Sequence, residues 1–371
     1  MITISEWHTE LKTRRARFWK VVQQSGCDLG LVFGSHEHPE AFRYLTNFVP
    51  VLGDMWGILS SEDRMVSLLN FHWQLEEARQ ASGLQEWVGV FDLIPAVLDA
   101  LSSFNHRRVA VFGMQRIPYI ALQAIKERFP ILEWIDAGAE FNKIRQVKSP
   151  LEIRLLRQSI RITDGAINTV RAELKPGQTE NEICARLTYL INRSGAELAF
   201  TGAAMTGNER DDIIRLPTDR PLQKGESLMI DYGAAYQGYQ ADVGRTYVIG
   251  NPNDLQKKVW DTVCRAHDAV IALAKPGVPC NALHQAALRI ISNAGFVLKH
   301  RIGHGIGLAT SFEWPALDTE TALLEAGMTL AIEPGIYIQG AGAMKYEDDI
   351  LITETGCEVL SNCSPEWIVP G

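Results

Sequence analysis

Apolar residues recur along this chain with two different periods, and the switches between them give the first expectations. Residues 4–26 carry them at helical spacing, which predicts an amphipathic helix. The continuous apolar run "DLGLVFG" (28–34) then predicts a buried strand. "MWGILSS" and "MVSLLN" read as a strand pair, "LIPAVLDALSSF" as a helix and "RRVAVFG" (107–113) as another buried strand. Helices and strands mixed in this order predict an α/β domain. A long helix begins within 144–174, where Ser149, Pro150 and Glu152 supply a hydroxyl cap, a first-turn proline and a glutamate three residues after the cap. These signals put a boundary near 145–150, giving an N-terminal domain over 1–145 and a C-terminal domain over 146–371.

The second part repeats itself. "KPGQTENEICARLTYLINRSGA" (175–196) aligns with "KPGVPCNALHQAALRIISNAGF" (275–296), an offset of 100. "LQKGESLMIDYG" (222–233) aligns with "LEAGMTLAIEPG" (324–335), an offset of 102. A fixed offset in the same order is the signature of a duplicated unit. In that alignment Asp231 falls opposite Glu333, so each half carries one acid at the same point of an equivalent strand. Each half then turns back, through "AYQG" (235–238) before Asp242 and through "IQGAG" (338–342) before Glu347. Residues equidistant from a hairpin turn face one another, to within a residue of bulge slippage. Two hairpins related by the duplication would therefore converge four acids on one centre.

Four carboxylates held close together repel, and burial adds to the cost. Protonating some of them or binding cations removes that cost, and two divalent ions balance four acids. Oxygen ligands favour Mn, Mg or Ca, and an imidazole moves the preference toward Mn, Co, Fe or Zn. "RIGHGIGLAT" offers that imidazole in His304, flanked by glycines that let backbones approach closely. "HEHPE" (36–40) begins like a zinc-protease helix, but its fifth residue is Glu40 and Pro39 opposes the helix. No GxSxG elbow is present, and no cysteine sits in a recognisable nucleophile motif.

Composition narrows the classes further. A net charge of −8 leaves no basic surplus to neutralise phosphates, which argues against a nucleic-acid partner. No run approaches the roughly 20 apolar residues of a membrane span, and the first residues have no apolar signal core. The six cysteines form no CxxC pair, which suits reduced thiols and a cytoplasmic location.

At these residues the chain resembles the pita-bread metallopeptidases, in the aminopeptidase P and prolidase branch. "YLTNF" (44–48) resembles a segment of that family's N-terminal domain, and "IRQVKSPLEI" (144–153) its interdomain linker. "DYGAAYQGYQADVGRT", "GHGIGL", "EPGIYI" and "YEDDILIT" resemble its metal-site segments. The resemblance implies an α/β (α+β) chain: a creatinase-like N-terminal domain and a pseudo-twofold C-terminal domain with a curved antiparallel sheet. It implies two divalent ions, manganese first, with cobalt, zinc or iron as alternatives. Asp231 and Asp242 would chelate one ion and His304 the other, with Glu333 and Glu347 completing the pair and Asp242 and Glu347 bridging. A metal-bridging hydroxide would attack an amide carbonyl, with Glu333 moving the proton, in a Xaa-Pro aminopeptidase or dipeptidase. A homodimer is implied too, with Trp56, His72 and Trp73 as candidates for the rim of a neighbouring site.

Three positions depart from the family pattern. Ile214 stands where those peptidases carry a histidine before "PTDR", and Ser311 where they carry one seven residues beyond the ligand histidine. Lys345 replaces the arginine that precedes the last glutamate, losing a planar bidentate fork. The missing imidazoles bind the scissile carbonyl in the family, so Arg215, Thr310 and Ser311 become candidates to replace them. The same departures leave open a non-peptidase amidohydrolase of the ectoine-hydrolase or creatinase kind, acting on a small amide. Creatinase itself lacks this metal set, and binding proteins on this fold commonly lose ligands, whereas all five are present here.

Overall fold

Local signals written in the sequence start the main helices. In a computed structural model describing residues 2–105, 107–198, 202–309 and 312–370, the Ile4–Gln24 helix begins at a capping box in which Thr3 and Glu6 satisfy each other's backbone. Ser149 and Glu152 do the same for the helix Pro150–Glu173, with proline in its first turn. The chain divides into two compact units, Met1–Arg145 and Gln146–Gly371.

The first unit is built on a six-stranded sheet in the order Trp87–Val90, Met65–Asn70, Asp54–Leu59, Leu29–Ser35, Arg108–Phe112, Glu133–Asp136. Every residue of Leu29–Ser35 is buried, which explains its unbroken apolar run: it lies at the centre of the sheet with helices packed around it. It pairs antiparallel with Asp54–Leu59 and parallel with Arg108–Phe112. The predicted pair around residues 55–70 is an antiparallel hairpin with Met55 opposite Leu69. Trp56 belongs to this unit's core, edge-on to Phe33 at 5.1 Å. His72 and Trp73 are exposed, and Trp73 stacks on Phe71 at 4.4 Å.

The second unit shows the duplication as structure. The helices Glu180–Arg193 and Cys280–Asn293 begin and end 100 residues apart, as the sequence offset requires. The longer helices Pro150–Glu173 and Asp254–Leu273 precede them in the two halves. Two antiparallel sheets carry the site. One orders Ile368–Val369, Val243–Ile249, Ser227–Tyr232 and Ala203–Thr206, with Ile368–Val369 joined in parallel. The other orders Glu313–Ala316, Gly303–Gly305, Thr329–Ile332, Asp348–Ile352 and Cys357–Val359. Each half has its own apolar core, one around Leu187, Ile230 and Tyr247, the other around Val263, Leu283 and Ile350. Among the described residues no helix is long and apolar enough to cross a membrane.

Candidate metal centre

Both acid pairs lie on hairpins, and the turns fix their register. In the first half Tyr236 pairs with Tyr239 around Gln237 and Gly238, whose φ values of 49° and 86° give the doubly left-handed turn that tight hairpins favour. The turn sits one residue later than the midpoint between the two acids. Asp231 is therefore opposite Gly244 rather than Asp242, which stands two positions away toward the turn and so keeps to the same face. In the second half Gly335 pairs with Lys345 and Ile332 with Asp348, so Glu333 and Glu347 meet directly across the ladder.

The halves join where the acids meet. Glu347 donates its N–H to Gly244 O at 3.0 Å, and Asp242 donates its N–H to Asp349 Oδ2 at 3.0 Å. Arg245 adds a bond from Nη2 to Asp348 Oδ1 at 2.6 Å and a short one from Nη1 to the carbonyl of Glu347. His304 enters on the Gly303–Gly305 strand, between Glu313–Ala316 and Thr329–Ile332. Side chains at its two glycine neighbours would stand 2.2 Å from Ala331 O and 2.4 Å from Trp314 O, so only glycine lets the three strands close. The His304 Nδ1 lies 2.9 Å from Gly305 O; in the tautomer that donates this bond, Nε2 keeps its lone pair for a ligand role. That Nε2 lies 3.4 Å from Asp242 Oδ2 and 3.8 Å from Glu333 Oε1.

Lys345 reaches into the same cluster. Its Nζ donates to Asp231 Oδ2 at 2.6 Å and to Glu333 Oε2 at 3.1 Å. It also lies 2.8 Å from Glu347 Oε2, off the hydrogen-bonding direction, so neither oxygen of this fully buried carboxylate receives a hydrogen bond. Sequence reasoning saw only the arginine fork that this lysine lacks. The structure brings its ammonium to three of the four acids.

The charges show what the cluster wants. Burial, helped by repulsion from Asp242, holds the Glu347 carboxyl well above the usual carboxylate range in spite of Lys345. Burial likewise pushes Asp242 up to about 6, against the pull of its contact with His304. Glu333 runs the other way: burial would raise it, but Lys345, His300 and His304 together hold it below its ordinary value. One ammonium thus leaves four clustered acids, three of them buried, short of positive charge. Asp242, His304 and Glu347 offer ligand atoms all within 4.8 Å of one another, an imidazole and two carboxylates. Orphaned buried oxygens, a charge deficit and an N/O donor set fit divalent metal.

Asp231, Asp242, Glu333 and His304 open onto a cavity of about 260 Å³ whose walls include Ile213, Ile214, His300, Arg301, Phe312 and Tyr337. Ile214 is 57% exposed and presents an apolar wall. Arg215 turns instead to Glu180, which its two terminal nitrogens grip. Thr310 and Ser311 lie outside the described residues. His300, not singled out from the sequence, sits 2.9 Å from the Tyr337 hydroxyl, and burial holds its imidazole below its ordinary value. Its four-residue spacing before His304 was the available signal. Arg301 lies over the Phe312 ring at 5.2 Å and has no carboxylate partner among the described residues.

Comparison with known proteins agrees with this geometry. Residues 154–354 match the model of metallopeptidase family M24, and residues 14–147 match the creatinase/prolidase N-terminal domain. The chain belongs to metallopeptidase family M24, and is a metallohydrolase with that family's pita-bread C-terminal domain. It is 32% identical over 256 residues to a Xaa-Pro dipeptidase of Pyrococcus horikoshii, a match covering 68% of this chain and 73% of the relative. Two solved structures align along nearly the whole chain. The prolidase from Pyrococcus horikoshii has a TM-score of 0.87 at 26% identity, covering 96% of this chain and 100% of that one. The X-Pro aminopeptidase from Thermotoga maritima has a TM-score of 0.86 at 27% identity, covering 96% and 99%.

Proposed function

We propose that this protein hydrolyses the amide bond before proline in short peptides, using divalent metal at the centre formed by Asp231, Asp242, His304, Glu333 and Glu347. The observation that carries this reading is the convergence of those five side chains beside a small cavity with apolar walls. Manganese is the ion we expect first. When bound, divalent metal supplies Lewis acidity toward the carbonyl and acidifies water.

The chain's own residues do the rest. Ile213, Ile214 and Phe312 form an apolar wall suited to a pyrrolidine ring. Glu333, ionised because Lys345 and the two histidines outweigh its burial, accepts a proton at a carboxylate oxygen and delivers it to the leaving nitrogen. His300, kept neutral by burial and in contact with the Tyr337 hydroxyl, is placed to orient a carbonyl in the part of the site where Ile214 supplies no donor. Relatives named as dipeptidase and as aminopeptidase resemble the chain about equally, so they do not choose between those activities. Arg301, a cation on the cavity wall without an acidic partner among the described residues, favours the dipeptidase, whose substrate carries a carboxylate next to the scissile bond.

Ile214 in the cavity wall also supports a second reading, an amidohydrolase of small cyclic or guanidino-type amides. Purified protein with Mn²⁺, assayed on Xaa-Pro dipeptides, Xaa-Pro tripeptides and such small amides, separates the two. Proline release from the dipeptides supports the first reading, and turnover of the small amides alone overturns it. The homodimer, proposed from family resemblance, and the cytoplasmic location, proposed from the cysteine pattern, are tested by light scattering and cell fractionation.

A further inference from the structure

Lys148 and Glu313, 165 residues apart in sequence, form an ion pair whose side chains are 1% and 3% exposed. Lys148 Nζ donates to Glu313 Oε2 at 2.8 Å. Glu313 Oε1 accepts the N–H groups of Leu308 at 2.8 Å and of Ala309 at 3.2 Å. Desolvating two charges offsets much of their attraction, so a buried pair adds little net stability. What this pair supplies is a fixed position for the backbone it grips.

That backbone leads to the metal centre. Glu313 stands opposite Gly305 in the ladder, one residue beyond His304, and Gly305 O is the carbonyl that meets His304 Nδ1. A side chain at Gly307 would stand 2.5 Å from Glu313 Oε2, so the carboxylate packs directly on the segment that follows the histidine. Gly307 O in turn accepts the N–H of Gln240, two residues before Asp242, at 2.7 Å. Asp242, Gly305, Gly307 and Glu313 line one small cavity of about 10 Å³.

The lysine end of the pair is fixed as well. Lys148 N donates to Gly327 O at 2.9 Å, and Val147 bridges to Met328, just before the Thr329–Ile332 strand that flanks His304. Glu152 Oε1 accepts the hydroxyl of Tyr239, three residues before Asp242, at 2.9 Å. The stretch 148–152 therefore holds the His304 segment through Glu313 and the Asp242 segment through Tyr239. One of these comes from each half of the repeat.

We infer that Glu313, anchored by Lys148, is a positioning residue for the metal centre, holding the His304 imidazole at its working distance from Asp242. Two donors that each stand about 2.0–2.2 Å from one ion lie roughly 3.0–3.6 Å apart. His304 Nε2 lies 3.4 Å from Asp242 Oδ2, inside that range. Without the pair, the 307–309 backbone loses its anchor and the imidazole moves with Gly305. The inference rests on the metal-dependent reading above and adds to it a support behind the histidine, set apart from the residues that line the substrate cavity.

The test reads metal binding rather than turnover. Mn²⁺ affinity of the full chain is taken from the paramagnetic resonance of the free ion, which measures weak binding as well as tight. Glu313→Gln keeps the side chain's size and loses its charge. Lys148→Met combined with Glu313→Gln leaves no buried charge alone, and serves where the single variant does not fold. Either should lose about 10–100-fold in affinity. The visible spectrum of the Co²⁺ form, which follows ligand geometry, should shift. In a His304→Ala background the same change should cost about 2-fold at most, because the ligand it positions is gone. Unchanged affinity and spectrum in a folded variant would overturn the inference and leave metal-dependent hydrolysis intact, and so would an equal loss with and without His304. Failure of both variants to fold would overturn it too, since the pair would then hold the fold rather than the ligand. If wild type binds no ion, the metal-dependent function falls and the inference with it.

Discussion

Glu347 and Gly244 meet across the seam between the two repeats, with the glutamate N–H donating to the glycine carbonyl at 3.0 Å. A methyl on Gly244 would stand 2.6 Å from Glu347 Oε2 and from Lys345 Cε at once. The lack of room for a side chain at 244 thus comes from the acid cluster rather than from backbone conformation. Gly244→Ala should keep the fold and lose about 10–100-fold in Mn²⁺ affinity, because it displaces a buried ligand and the cation beside it. Calorimetric titration of the two proteins measures this, and equal affinities would show that the seam tolerates a side chain.

Arg215 and Glu180 define the second prediction. Burial alone would raise the Glu180 carboxyl, but the Arg215 fork and the N–H and hydroxyl donors of Thr206 and Thr218 outweigh it and hold it at about 2. A carboxylate held below its ordinary value of 4.5 contributes stability above that pH and loses it as pH falls toward 2. The contribution is on the order of 2–3 kcal/mol at neutral pH. Glu180→Gln should therefore be less stable than wild type at pH 7, with the gap narrowing steadily below about pH 4.5. Urea unfolding across that range reads the difference, and a gap independent of pH would contradict the assignment.

Arg301 carries the third. If it receives the substrate's carboxylate, Arg301→Met should raise KM for a Xaa-Pro dipeptide by about 10–100-fold, the worth of one charge-assisted hydrogen bond. Tripeptides, whose carboxylate lies one residue farther away, should be affected less, and kcat should change little in either case. Steady-state kinetics on matched dipeptide and tripeptide pairs decide this. Equal losses for both would move the arginine out of carboxylate recognition.

Much of the fold and of the site is legible in the amino-acid sequence, and the remainder divides along a physical line. The Ser149–Glu152 cap, the strand at Leu29–Ser35 and the helices starting at Glu180 and Cys280 are local or repeated patterns. The four acids can be picked out because duplication and turn residues imply which strand positions face each other, and His304 because glycines flank it. The hairpin centre moves by one residue because Gln237 and Gly238, rather than the midpoint pair, adopt the left-handed turn. Side-chain pairings set by packing leave no such local trace. Arg215 turns to a glutamate 35 residues away, His300 finds Tyr337, and Lys345 reaches Asp231 from the other half of the repeat. Nothing in the local sequence around Lys345 says that its stem passes a glycine 101 positions earlier.

The proposed metal centre of the acids and His304, cleaving before proline, is open to direct test. The most direct measurement is the rate of proline release from a Xaa-Pro dipeptide by protein stripped with a chelator, before and after Mn²⁺ is restored, for wild type and His304→Ala. Wild type should be inactive when stripped and recover on adding Mn²⁺, while His304→Ala should bind the ion weakly and recover little. Undiminished release by the stripped wild type, or full recovery by His304→Ala, would contradict the account.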